Sequence, residues 1–142
     1  MVHSKSFDGG CLCGAIRYRA VAEPLRGVIC HCDMCRRHSG APALAFVHFP
    51  ASSFKWLNAQ PAWYRSTQFA ERAFCPACGS TLGMREEVLG DRMQVSIGSL
   101  DEPGRVQIHD HLWTSSRLPW FEIRDDLPRF AKSSAAVPSK AQ

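Results

Sequence analysis

The seven cysteines of this chain carry its most distinctive chemistry, because they fall into three short clusters. These are the N-terminal pair Cys11 and Cys13 in GGCLCG, the central triplet Cys30, Cys32 and Cys35 in CHCDMC, and the C-terminal pair Cys75 and Cys78 in CPACG. A CxxC whose turn contains Pro and Gly directs two thiolates at one metal ion. Soft sulfur ligands at this spacing in a β domain favour zinc over iron or an iron–sulfur cluster.

Disulfides are a poor explanation for these cysteines. Their number is odd, and a reducing cytosol would not maintain a disulfide framework. The start of the chain, MVHSKSFDGG, has no apolar core of a secretory signal, and the apolar run APALAFV is too short to span a bilayer. We therefore expect a cytoplasmic metal protein with no membrane partner.

The spacing permits two groupings of the cysteines around metal ions. In one, Cys32 and Cys35 join the C-terminal pair in a zinc ribbon, which leaves the N-terminal pair and Cys30 unused. In the other, the two pairs form a closed four-thiolate site and the central triplet holds a second ion. Both groupings satisfy tetrahedral geometry. The second uses every cysteine and leaves one ion with three protein ligands and an open position, as in catalytic zinc sites.

Length and composition indicate one globular domain. The 142 residues are 45% hydrophobic and 21% charged, which suits a soluble fold with a modest core. The formal charge is +4, but seven thiolates would subtract seven charges and two Zn²⁺ would add four, which leaves +1. The sequence also has no long Lys/Arg stripe, so we do not expect nucleic acid as a partner.

Short segments of alternating character predict β-strands. They are AIRYRAV, ALAFVHF, AWYRS, ERAFC, MQVSIGS and QIHDHLW, separated by Gly, Pro, Ser and Asp. No interval favours a long amphipathic helix. We predict a mainly β domain over residues 1–130, in which zinc knuckles replace part of the core, and a flexible C-terminal tail over 131–142.

Several of these motifs resemble one known family. GGCLCGAIRY, CHCDMCRRHSG, RAFCPACGSTL, SIGSLDEP, HLWTSSRLPW and LPRF occur in the order seen in the glutathione-dependent formaldehyde-activating enzyme family, which also includes centromere protein V. The resemblance spans about Gly9 to Phe130. It implies a β-tent of several small coiled antiparallel sheets with zinc-ribbon-like knuckles. It also implies a structural zinc on the two pairs, a catalytic zinc on the central triplet, and carbon–sulfur lyase activity that joins glutathione to formaldehyde.

A zinc ion with three thiolates suits thiol chemistry better than water activation. Sulfur donates electron density and weakens the Lewis acid, whereas a substrate thiol in the fourth position would be held as a thiolate at neutral pH. That thiolate can attack a carbonyl carbon. Together with the family resemblance, this chemistry implies glutathione and a small electrophile such as formaldehyde as the substrates.

Residues after the triplet are expected to bind the substrate. Arg36 or Arg37 can engage a glutathione carboxylate, and His38 can orient the substrate. His111 is carried over from the family pattern as a group lining the site. His31 lies between two ligands and should point away from their metal. Asp33 as a fourth ligand, and a third metal on His109 and His111, are less favoured.

Two other functions remain open at the level of sequence. One is a noncatalytic zinc-binding module with two structural metals that binds protein or nucleic acid. The other is a redox switch that uses Cys32 and Cys35 as a CxxC motif.

Overall fold

A computed structural model of the chain describes residues 5–134. Within that range the chain forms ten β-strands and one short α-helix. The strands are β1 (Ser6–Gly10), β2 (Arg17–Val21), β3 (Arg26–Cys30), β4 (Leu44–Pro50), β5 (Phe54–Trp56), β6 (Ala62–Thr67), β7 (Ala70–Phe74), β8 (Thr81–Glu86), β9 (Arg92–Ser96) and β10 (Asp110–Leu112). The helix, α1, spans Asp33–Ser39 between β3 and β4.

The strands form two sheets. The smaller is antiparallel, in the order β1-β2-β5, and the larger has seven strands in the order β10-β3-β4-β9-β8-β7-β6. Neighbours in the larger sheet are antiparallel except β10 and β3, which are parallel and bring His111 opposite Ile29. The prediction of a mainly β fold is confirmed, with a parallel pair added at one edge.

All six predicted strand segments overlap a strand of the structure, whereas β1, β3, β5 and β8 were not predicted. The helix has seven residues, consistent with the expectation that no long helix is present. In residues 5–134 no helix combines the length and the apolar character needed to cross a bilayer.

Apolar side chains form two clusters of buried residues. The larger packs the two sheets together and includes Tyr18, Phe49 and Val95. The smaller contains the three cysteines of the central triplet with Phe46 and Met84. The triplet is thus embedded in apolar surroundings, where electrostatic interactions are stronger than in water.

The chain continues to make backbone contacts after Phe130. The carbonyls of Ala131 and Lys132 accept hydrogen bonds from Ser115 and Trp113. From residue 135 onward the predicted flexible tail lies outside the described residues.

Candidate metal centre

The two cysteine pairs meet at one place, where the sheets adjoin. The N-terminal pair lies in the turn between β1 and β2, and the C-terminal pair lies in the turn after β7. The sulfur atoms of Cys11 and Cys13 are 3.6 Å apart, and those of Cys13 and Cys75 are 3.9 Å apart. All four sulfurs lie within 4.8 Å of one another. This four-cysteine cluster therefore joins the three-stranded sheet to the seven-stranded sheet.

Hydrogen-bond donors point at the sulfurs of the four-cysteine cluster. The amide of Ile16 donates to Cys11 Sγ at 3.3 Å, and the amide of Cys78 donates to Cys75 Sγ at 3.5 Å. A hydrogen bond with the Ser80 hydroxyl is the main factor that lowers the pKa of Cys78 to about 5. Such donors favour thiolates over neutral thiols, so the cluster fits a soft divalent ion such as zinc.

The central triplet forms a second cluster at the start of helix α1. Cys30 ends β3, Cys32 is the N-cap of α1, and Cys35 lies in the first turn. The Cys35 amide donates to Cys32 Sγ at 3.3 Å, so the thiol acts as the helix cap. The three sulfurs are buried and lie within 4.8 Å of one another, and no fourth His, Cys, Asp or Glu ligand from residues 5–134 joins them.

The thiols of the triplet influence one another strongly. Hydrogen bonds from Cys30 and then Cys35 lower the pKa of Cys32 to about 3, whereas the bond with Cys32 raises the pKa of Cys30. The cluster therefore favours a thiolate at Cys32 over one at Cys30. Three buried sulfurs of this kind fit zinc as a soft, three-ligand set.

Asp33 does not complete this ligand set. Its side chain is 68% exposed and forms an ion pair with Arg36 at 3.5 Å. The acidic residue therefore lies in the solvent-facing first turn of α1, where it interacts favourably with the helix dipole.

Arg72 of β7 brings a buried positive charge to the triplet. Its side chain is 1% exposed, and its Nη1 donates to Cys35 Sγ at 3.5 Å. Its Nε and Nη2 are buried and have no hydrogen-bond partner among the described residues. Sulfur is thus the one polar contact of this guanidinium in the described part of the chain.

Behind the triplet, three residues form a hydrogen-bonded chain. His31 Nε2 lies 3.0 Å from His111 Nδ1, and His111 Nε2 lies 2.9 Å from Asp125 Oδ2. Both rings are almost fully buried. A bond from Arg129, followed by the bond from His111, lowers the pKa of Asp125, so this carboxylate is ionised.

The ionised carboxylate sets the direction of the hydrogen bonds when both rings are neutral. An ionised Asp125 can only accept, so His111 Nε2 donates to it and His111 Nδ1 accepts from His31 Nε2. His31 Nδ1 then carries a lone pair, and this buried atom has no partner among the described residues. Burial, with a smaller effect of the His111 charge, lowers the pKa of His31 to about 4 and favours the neutral ring.

The predicted substrate-binding residues of α1 differ in exposure. Arg36 is half-buried, Arg37 is exposed, and His38 is half-buried with its ring 6.4 Å from that of Phe74. The buried His38 Nδ1 has no partner in residues 5–134. Arg37 is therefore the residue of the three that is freest to meet a solute.

His111, which was expected to line the site, is buried beside His31. Its side chain is 1% exposed, and its hydrogen bond to His31 connects it to the segment that holds the triplet. His109, two residues earlier, instead accepts a hydrogen bond from the Gly27 amide at 3.2 Å. The two histidines do not share a metal-ligand group in the described residues.

An aromatic residue beside the triplet has an unusual backbone. Trp113, directly after β10, packs against the apolar cluster around the triplet and has φ of 57°. This left-handed conformation is uncommon for a residue with a side chain and is often found near functional sites.

An open cavity of about 670 Å³ lies elsewhere and is lined by Phe54, Trp56 and Trp63, with no cysteine among its lining residues.

Sequence reasoning missed Arg72 and Asp125. In the strand AERAF, Glu71 and Arg72 are adjacent, and alternation requires one of the two to face inward. That signal could have identified a buried charge, although not its contact with Cys35. Asp125 lies 14 residues after His111 in an irregular segment, and no periodicity connects the two.

Comparison with known proteins gives consistent matches. Residues 6–116 match the family model described as glutathione-dependent formaldehyde-activating enzyme. A protein of Schizosaccharomyces pombe named as an uncharacterized lyase is 40% identical over 76 residues, which is 54% of this chain and 55% of that protein, so the chain spans about half of that relative. A protein of Halomonas elongata, named as a candidate glutathione-dependent formaldehyde-activating enzyme, is 27% identical over 82% of this chain and 80% of its own length.

A solved structure supports the fold. The crystal structure of a Rhodobacter sphaeroides protein aligns with 86% of this chain and 98% of its own, with a TM-score of 0.56 and 20% identity. At this identity the likeness concerns the fold alone.

Proposed function

The chain belongs to the glutathione-dependent formaldehyde-activating enzyme family, and from that premise we propose that it is a zinc-dependent carbon–sulfur lyase. It joins the thiolate of glutathione to formaldehyde or a related small electrophile. The relatives named as a lyase and as an enzyme of this family support the proposal. Two zinc ions bind each chain, a structural ion on the four-cysteine cluster and a catalytic ion on the central triplet.

One observation carries this proposal. Three buried sulfurs lie within 4.8 Å of one another, and residues 5–134 supply no fourth ligand. The four-cysteine cluster, in contrast, provides four sulfurs, the number of ligands that a closed structural zinc site needs. These two groups support the proposal of one closed metal site and one site with a position for an exogenous thiol.

The chemistry follows from the donor set. Zinc bound by the triplet would stabilise a substrate sulfur as a thiolate, which is the nucleophilic form. Cys30, Cys32 and Cys35 hold the reacting centre in apolar surroundings that limit access of water. His31 and His111 fix the loop between two of these cysteines through the hydrogen bond to Asp125.

The positive residues of α1 are assigned to the glutathione carboxylates. Arg37 is exposed, and the ion-pair partner of Arg36 within residues 5–134 is the exposed carboxylate of Asp33, so either guanidinium can engage a carboxylate. His38 orients the substrate, and His111 supports the site from behind through His31. We also assign the protein to the cytoplasm, where a reducing environment would keep the seven cysteines available as metal ligands.

Native mass spectrometry tests the assignment. Wild-type protein should carry two zinc ions and retain one glutathione, whereas Cys30→Ser should lose the glutathione. One zinc ion per chain, or two with no affinity for thiols, would contradict the proposal and favour a module with structural metals that binds protein or nucleic acid.

A second measurement separates binding from catalysis. Hemithioacetals form without a catalyst, so the rate has to be compared with that of the uncatalysed reaction. Exchange between ¹³C-labelled formaldehyde and its glutathione adduct, followed by NMR, should be faster with wild-type protein. With Cys30→Ser the exchange should return to the rate in buffer.

A further inference from the structure

Arg72 is the buried residue that the proposed reaction leaves unexplained. It is the largest of the fully buried side chains in the described residues, yet it carries a full positive charge. Moving such a group out of water is costly unless an opposite charge compensates it. The residue therefore requires an anionic partner within the fold.

The central triplet is the partner that the contacts indicate. The one polar contact of Arg72 among the described residues is Nη1 with Cys35 Sγ, at 3.5 Å. Arg36, also near the triplet, instead interacts with the Asp33 carboxylate, which is 68% exposed. Arg72 is thus the desolvated cation at this cluster, and Arg36 is a partly solvated one.

The net charge of the triplet with bound zinc explains why a cation is buried beside it. Three thiolates and one Zn²⁺ carry one net negative charge, and a fourth thiolate would add another. In apolar surroundings that second charge is strongly unfavourable unless a cation is nearby. Neutral ligands such as imidazole would not require the same compensation.

We propose that Arg72 is a positioning residue that compensates the negative charge of the three-thiolate centre and so permits an anionic thiolate to take the fourth position. The inference rests on the proposed function. It assigns to Arg72 the preference of the site for thiolates over neutral ligands. Arg72 acts through Cys35 and need not touch the substrate.

Cobalt substitution provides the test, because thiolate-to-Co²⁺ charge-transfer absorption reports each thiolate that joins the metal. The Co²⁺ form of wild-type protein, Arg72→Met and Arg72→Lys would be titrated with glutathione, 2-mercaptoethanol and imidazole. The second thiol lacks carboxylates, so its binding reports on the sulfur alone. Arg65→Met is the matched control, because Arg65 is 60% exposed and paired with Glu71.

Arg72→Met should bind both thiols about tenfold or more weakly, as expected for loss of a unit charge next to a buried anion. Imidazole affinity should change far less, Arg72→Lys should recover most of the thiol affinity, and Arg65→Met should match wild type. Unchanged thiol affinity in Arg72→Met, or an equal loss for thiols and imidazole, would overturn the inference.

The outcomes also separate the inference from the proposed function. If wild-type protein binds no thiol at the metal, the proposed function itself fails and this role of Arg72 fails with it. If wild type binds thiols and Arg72→Met binds them equally, only the role of Arg72 is wrong. Should Arg72→Met not fold, Arg72→Gln removes the charge but keeps donor groups, and the same weakening is expected.

Discussion

His109 and His111 lie two residues apart, but their side chains differ in burial and in hydrogen-bond partners. His111 is buried and bonds to both His31 and Asp125, whereas His109 is half-buried and bonds to one backbone amide. From the sequence HDHLW the two histidines look equivalent. The difference arises because β10 pairs in parallel with β3, which brings His111 next to the loop that holds the triplet.

Truncation of these two histidines should therefore have unequal effects. His111→Ala leaves the buried His31 Nε2 without its partner, and we expect the free energy of unfolding to fall by about 1–3 kcal/mol. His109→Ala loses a single, less buried hydrogen bond and should cost about 1 kcal/mol or less. Urea unfolding of the two variants checks this, and equal losses would contradict the buried hydrogen-bonded chain.

His48 on β4 should make the fold sensitive to acid. It is fully buried, its Nε2 has no partner among the described residues, and burial is the main factor that lowers its pKa to about 3. An unfolded histidine has a pKa of about 6.5. The unfolded chain therefore binds more protons between about pH 6.5 and pH 3, so the free energy of unfolding decreases as the pH falls through this window.

The variant His48→Gln removes this titration. Between pH 6.5 and pH 5 its free energy of unfolding should fall by about 2 kcal/mol less than that of wild type. Denaturant unfolding of both proteins at the two pH values measures this difference. Metal release by acid lowers the stability of both proteins and therefore cancels when the two changes are subtracted. Parallel pH profiles would show that His48 titrates normally in the fold.

Helix α1 positions two cysteines and the basic residues after them, and a single glycine ends it. Gly40 has φ of 74° and its amide bonds to the Arg36 carbonyl, as in a left-handed C-terminal cap. A Cβ at this position would meet no atom within 4 Å, so any cost of a side chain comes from the backbone conformation.

Gly40→Ala should accordingly lower the free energy of unfolding by about 1 kcal/mol, with Gly40→Asn less affected. Gly104→Ala is the control, because Gly104 is also in open space and lacks a positive φ. That variant should be neutral or slightly stabilising. Thermal unfolding monitored by circular dichroism compares the three, and a neutral Gly40→Ala would exclude the proposed cap.

The elements that were predicted are those with clear alternation or apolar runs, such as β2 and β4. The missed strand β1 reads SFDGG, which resembles a turn, but Gly9 serves close packing because a Cβ there would lie 2.5 Å from the Ser99 carbonyl oxygen. Helix α1 was missed because seven residues are too few for a helical period. Local pattern fails where tertiary contacts decide the conformation.

At the scale of the molecule, the cysteine clusters should differ in what they stabilise. The four-cysteine cluster links the two sheets, whereas the triplet lies within one apolar cluster. If zinc occupies the former, its contribution to folding is on the order of 10 kcal/mol or more. The sequence suggested both groupings of cysteines, and the three-dimensional proximity of the two turns distinguishes them.

Cys75→Ser should therefore prevent stable folding, whereas replacement of Cys30, Cys32 and Cys35 by Ser should leave a folded protein that retains one zinc ion. The latter variant should be less stable than wild type, because Arg72 loses its anionic partner. Near-ultraviolet circular dichroism and the zinc content by native mass spectrometry measure the two outcomes. A folded Cys75→Ser protein with full thermal stability would contradict the structural role of the four-cysteine cluster.

The sequence separation of the clusters has a consequence for biosynthesis. Cys13 and Cys75 are 62 residues apart, whereas the triplet is complete within six residues. A nascent chain therefore presents five thiols before the C-terminal pair is made. An ion captured early by the N-terminal pair together with a cysteine of the triplet would have to exchange ligands once Cys75 and Cys78 have been synthesised. Supplying zinc to the completed chain, rather than during translation, should thus give fewer chains with the wrong set of thiols around their metal.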